Sequence, residues 1–235
     1  MEKFLCRLAI ARFFCLFFIL LSLFFFLPVG VADSFDDDLQ TWQMLTMRAN
    51  VGKRFQLYVE GQSRLKENSS KLDRILLRPA LGYQLTPTFS IWQGYAFTPG
   101  FNPNASEHRL FQQVLWEKSY DKVQLSNRFR FEERFIEQTS DVSLRARNLL
   151  RVSRRLGQQK KWSVVVYDEC FWNVNNLSVG PKSGFDQNRI FLGLNRRLSK
   201  QTNLEAGYML NLLNRQAPQL DRLNHILLLT LNIRI

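Results

Sequence analysis

The segment SNRFRFEERF, residues 126 to 135, sets Arg128, Arg130, Glu132 and Arg134 in alternation with Phe129, Phe131, Glu133 and Phe135. Successive side chains of an extended chain point to opposite faces, so one face here is charged and the other almost wholly aromatic. Few folds satisfy both faces. Turned toward lipid, each Arg near mid-bilayer costs about 2–4 kcal/mol in a barrel. The opposite placement, apolar face to the acyl chains and charges into an enclosed polar lumen, costs nothing comparable.

The pattern recurs along the chain. Phe55, Leu57, Val59 and Leu65 oppose Gln56, Tyr58, Glu60, Gln62 and Arg64. Leu144, Ala146, Leu150, Val152 and Leu156 oppose Arg145, Arg147, Arg151, Ser153 and Arg155, although Arg147, Arg151 and Arg154 also fit a helical face. Ile190, Leu192, Leu194 and Leu198 oppose Arg189, Asn195 and Arg197. Leu204, Ala206, Tyr208, Leu210 and Leu212 oppose Asn203, Glu205 and Asn211, and the final segment sets Leu223, Leu227, Leu229, Leu231, Ile233 and Ile235 on one face.

Residues 1–32 read as a secretory signal. Lys3, Arg7 and Arg12 lead into the apolar run Phe13–Leu27, and small residues follow at Gly30 and Ala32. Fifteen apolar residues fall short of the ~20 that span a bilayer as a helix. Removing three basic residues and Glu2 lowers the formal charge from +12 to +10 and leaves Cys170 as the one cysteine, so residues 33–235 must close their structure without an internal disulfide. The acidic stretch DSFDDD, residues 33 to 38, reads as a solvated start to the mature chain.

Short connections (VGKR, LTPT, SYDK, GQQKK, SKQT) alternate with KENSSKLD, TPGFNPNASE, EQTSD, NVNNLSVGPKSGFD and NRQAPQLD, which are longer except for EQTSD. Tight turns at one end and loops at the other mark an up-and-down transmembrane barrel, and closure satisfies every backbone group in hydrocarbon. The predicted fold is therefore all-β, one antiparallel barrel over residues 33–235, in the outer membrane of a Gram-negative bacterium after cleavage of the signal. Trp42, Trp92, Trp116, Trp162 and Trp172 fall mostly near strand ends, where aromatic girdles sit, and some of these rings must point inward, with Trp92 a candidate.

The blocks EHRLFQQ (107–113), NRFRFEERF (127–135), SLRARNLLR (143–151), YDECFWN (167–173), GFDQNRIFLGL (184–194) and LEAGYML (204–210) resemble those of a family of bacterial outer-membrane β-barrel proteins catalogued only as a domain of unknown function. The resemblance runs from about Trp42 to the C-terminus and implies an outer-membrane barrel, without implying an activity. Outer-membrane strands usually end in an aromatic residue recognised by the insertion machinery, whereas this chain ends in Ile235. Eleven strand segments are legible, near residues 39–51, 55–65, 73–85, 89–97, 107–119, 122–136, 142–156, 162–172, 187–198, 202–213 and 222–235. Bacterial single-chain barrels have even strand numbers, so ten or twelve strands are expected.

Arg128, Arg130, Glu132, Arg134, Arg145, Arg147, Arg151, Glu169 and Arg189 are the candidate lumen residues. Ion pairs among them could fill a narrow barrel, or their excess of Arg over Glu could make an anion-favouring pore. Expected partners are outer-membrane lipids, lipopolysaccharide among them, and the barrel assembly machinery during insertion. Nucleic acid is not expected of an exported chain despite the basic charge, and oligomeric state is not legible.

Two alternatives have other chemistry. A lipid hydrolase would need a triad around His108 and its neighbour Ser106, whereas His225 shares the lipid-facing parity of Leu223 and Leu227. A soluble periplasmic barrel would instead bind an acidic ligand. One cysteine and two distant histidines make no zinc set, and no phosphate-binding glycine motif is present. No cofactor is expected.

Overall fold

The computed structural model describes residues 36–101, 105–157, 161–215 and 219–235. The signal segment, residues 1–32, and Asp33–Phe35 lie outside the described residues. Eleven strands are formed among the described residues: β1 (Asp36–Val51), β2 (Phe55–Lys66), β3 (Lys71–Gln84), β4 (Phe89–Thr98), β5 (Glu107–Tyr120), β6 (Val123–Ile136), β7 (Ser143–Leu156), β8 (Trp162–Asn173), β9 (Gly184–Arg197), β10 (Thr202–Leu213) and β11 (Arg222–Arg234). Each consecutive pair is antiparallel, and β1 pairs with β11 to close the barrel. The helical alternative for residues 143–156 is not realised, since this segment pairs with β6 and β8 along its length.

The strand count of eleven departs from the expected ten or twelve. Closure does not require an even number, because β1 and β11 run parallel in continuous register from Asp36 opposite Arg222 to Arg48 opposite Arg234. A parallel ladder satisfies the backbone of both strands as an antiparallel one does. The connections β1–β2, β3–β4, β5–β6, β7–β8 and β9–β10 gather at one end, called the short-turn end, and the other five at the long-loop end.

Alternation fixes which face looks out. Most outward positions are apolar and open, with Leu192 59%, Val59 54% and Leu227 52% exposed. Aromatic rings border this band: Trp116, Tyr120 and Trp162 near the short-turn end, and Trp172, Phe185 and His108 near the long-loop end. Trp42 and Trp92 instead point inward and are buried.

Inside, two apolar clusters stand on different walls. Trp42, Val165, Phe191, Met209, Ile226 and Leu228 form one, and Ala80, Trp92 and Phe111 the other. Glycine makes room for the rings: a Cβ on Gly94 would lie 2.1 Å from the Phe111 ring, so only Gly lets that ring lie flat against β4.

The acidic start of β1 is partly internal. Asp38 is buried and accepts the backbone N–H groups of Glu67 (3.3 Å) and Asn68 (3.1 Å). It thereby holds the β2–β3 turn, in which Glu67, Asn68 and Ser69 all adopt positive φ. A solvated start is therefore not what Asp38 provides.

Candidate functional site

The charged lumen is built by register. On β6 and β7, Arg130 stands opposite Arg147 and Glu132 opposite Arg145, and on β8 and β9, Glu169 stands opposite Arg189. The inward parity of four neighbouring strands thus converges on one layer.

Glu132, 1% exposed, accepts Arg145 Nη2 at 2.7 Å on one oxygen and Arg147 Nη1 at 2.5 Å on the other. Arg147 bridges onward, its Nη2 lying 2.7 Å from Glu169 Oε1, and the same oxygen accepts Arg128 Nη2 at 2.6 Å. Arg189 stands 3.9 Å from Glu169 and Arg130 3.8 Å from Glu132, while Arg145 also reaches Asp186 at 3.3 Å. Seven of the nine candidate residues, Arg128, Arg130, Glu132, Arg145, Arg147, Glu169 and Arg189, form this single network. Arg134 belongs to a separate buried cluster with Glu107 (2.5 Å), which also holds Arg109 (2.6 Å). Arg151 lies nearer the short-turn end and donates to Glu205, with Nη1 3.1 Å from Oε1.

Rings complete the layer. The Arg130 guanidinium lies 4.3 Å from the Phe111 ring centroid, and Arg147 and Arg189 lie 4.4 and 4.6 Å from that of Phe171. Such stacking offsets part of the cost of desolvating a guanidinium. Five arginines share two glutamates and Asp186, so the layer stays positive. Arg130 Nη1 and Arg189 Nε are buried without a hydrogen-bond acceptor among the described residues.

The lumen differs between its two halves. Toward the long-loop end the inward side chains are buried, among them Leu76, Glu107, Arg109, Ser143, Phe171 and Asn224. Toward the short-turn end lies a cavity of about 560 Å³, floored by Arg130, Arg147 and Trp42 and reaching Lys122, Arg155 and Arg197 at the rim. Thirteen of its lining residues are Lys or Arg and four are Glu, an excess of nine positive charges.

Sequence reasoning did not single out Glu60 and Arg78 (2.8 Å apart), Glu107 and Arg109, Arg48 and Glu117 (2.9 Å apart), or the rings of Phe111 and Phe171. Glu107 and Arg109 carried a usable signal, because two positions apart on a strand they share a face. The others pair across 18 and 69 residues of sequence.

His108 does not meet Ser106 in a hydrogen bond. Its Nδ1 lies 2.5 Å from the Tyr95 hydroxyl, its ring packs 4.8 Å from that of Phe97, and the Ser106 hydroxyl accepts the N–H of Gly100. Among the described residues no group of three or more His, Cys, Asp and Glu stands together as a metal site.

A match to the family described as "Protein of unknown function (DUF2490)" covers residues 39–224. The chain belongs to that family. An uncharacterized protein of Methylorubrum extorquens is 34% identical to this DUF2490 chain over 204 residues, covering 84% of this chain and 88% of that protein. Among solved structures, KdgM porin is similar with a TM-score of 0.43 and 11% identity, over 72% of this chain and 80% of that one. The DUF2490 match spans all of β2 to β10, and so every strand that contributes to the Arg/Glu network.

Proposed function

We propose that this DUF2490 chain is an outer-membrane β-barrel, exported under residues 1–32, whose lumen is held shut by the Arg/Glu layer above an anion-attracting vestibule. One observation carries the reading: the barrel is inside out with respect to a water-soluble protein. Leucines and valines about half exposed cover its outside, while Glu132 and its arginines are buried within. Water penalises that arrangement, and a bilayer requires it. In this placement the short turns face the periplasm and the loops face lipopolysaccharide. The assembly machinery inserts the strands.

The vestibule concentrates anions on its side of the layer, most strongly at low salt. In this reading the layer closes the section, its guanidinium groups, carboxylates and rings being in mutual contact across four strands. The barrel should fractionate with outer membranes and show a heat-dependent gel mobility. In planar bilayers the wild type should show no steady conductance, and Phe171→Ala with Arg147→Ser should open an anion-selective one. A soluble periplasmic product would end the membrane reading.

A second reading, a narrow open anion pore, is favoured by the unaccepted donors of Arg130 and Arg189. Steady anion-selective conductance of the wild type, shifted toward cations by Arg130→Glu with Arg147→Glu, would establish it over the closed barrel.

A further inference from the structure

The outer wall of the barrel carries a polar patch within its apolar band. On β6 to β9 the outward positions Asn127, Asn148, Asp168, Cys170 and Asn188 are neighbours, and Asn148, Cys170 and Asn188 stand directly opposite one another across three strands. Asn127 and Asn148 exchange hydrogen bonds of 3.1 and 3.4 Å. Asn188 donates to Asp168 at 2.5 Å and to the Cys170 sulfur at 3.0 Å. Along β8, Asp168 is six residues from Trp162 and four from Trp172, the two rings that border the band, so the patch lies at hydrocarbon depth. Its cross-strand neighbours are Leu150 and Ile190. Elsewhere on the outward face Gln43 and Ser63 form a neutral pair, and Glu133 stands between Leu110 and Leu144 close to the long-loop end.

Acyl chains offer such groups nothing. A polar side chain facing lipid gains by meeting a polar surface of another protein, the interaction that joins membrane segments. Ionisable residues in the band mark functional positions for the same reason. The vacancies in the patch say which surface fits. Among the described residues, one oxygen of Asp168 accepts no bond and one amide hydrogen of Asn148 has no acceptor. A two-fold axis normal to the membrane and close to Cys170 would bring these together reciprocally, Asn148 donating to the partner subunit's Asp168 and the partner subunit's Asn148 donating to Asp168. An isologous contact of this kind needs a surface complementary to itself. A patch of carboxamides, each with donor and acceptor, is one. We propose that the β6–β9 wall binds a second copy of this chain, and that the barrel is a homodimer in the membrane.

The proposal rests on the membrane placement above, so membrane fractionation comes first. Cys170 is the one cysteine beyond residue 32 and serves as a built-in reporter. A short bismaleimide added to outer-membrane vesicles should give a product of twice the chain mass, absent from Cys170→Ser. In mild detergent, light scattering should give a dimer for the wild type. For Asn148→Leu with Asp168→Leu the mass should halve, with heat-dependent mobility kept as the sign of a folded barrel. Membrane-inserted wild type of monomer mass without a Cys170 adduct would overturn the dimer and leave the membrane placement intact. A dimer indifferent to the double substitution, or an adduct to a different polypeptide, would overturn it too. Protein recovered outside the membrane fraction would remove both readings.

Discussion

Glu132 is the residue on which the layer turns. Its two oxygens each hold a guanidinium, and the acid is 1% exposed. Glu132→Gln keeps the shape and removes the charge, leaving Arg145 and Arg147 under-compensated where no water can replace it. Breaking a buried pair in this way costs about 3–5 kcal/mol, which denaturant unfolding of the lipid-inserted barrel would read as a lower midpoint. On the other face, Phe129→Arg should cost about 2–4 kcal/mol if the outward side meets lipid, and the same unfolding measurement would read it. Inward and outward parity of these residues was legible in the sequence, because alternation of Arg with Phe leaves one assignment affordable in a bilayer. Their partners were not. Arg151 meets Glu205 across 54 residues, and nothing local in either segment encodes that pairing.

Strands repeat the lesson with different limits. The periodic segments gave all eleven strands, with most bounds within two residues, since a period of two is insensitive to what lies across the ladder. β9 begins at Gly184, earlier than the segment at 187–198, because a bulge inserts Asp186 before the pairing of Gln187 with Phe171. A bulge interrupts alternation locally, so periodicity alone stops short of it. The packing of inward rings was also hidden. Phe191 shares the parity of Arg189 and Asn195 and so reads inward, but nothing in its own segment shows that it packs there with Trp42, Val165 and Met209. Gly94 is the testable counterpart on β4. Gly94→Leu should displace Phe111 and destabilise the barrel by about 1–3 kcal/mol through overpacking. Combining it with Phe111→Ala should recover part of the loss, an interaction read from the four unfolding midpoints of a double-mutant cycle.

For the whole molecule, charge and closure are separate matters. The excess of basic residues, plain in composition, is concentrated in one half of the lumen, which composition could not say. Adding salt should weaken anion retention by the vestibule while leaving the buried layer nearly unchanged, since screening acts on solvated charges. Fluorescence titration of a polyanion at rising ionic strength would show the affinity falling while the unfolding midpoint holds. The parallel β1–β11 seam has a consequence for biogenesis. An even-stranded barrel can be threaded entirely as hairpins, with both ends of the chain kept on the side of delivery. Here Asp36 lies at the long-loop end and Arg234 at the short-turn end. With delivery from the periplasm, one free end of the sheet must be carried across singly, and it carries the acidic residues Asp36, Asp37 and Asp38. A peptide tag inserted just before Asp36 should then be shaved by protease on intact cells, while a tag after Ile235 survives until the outer membrane is breached.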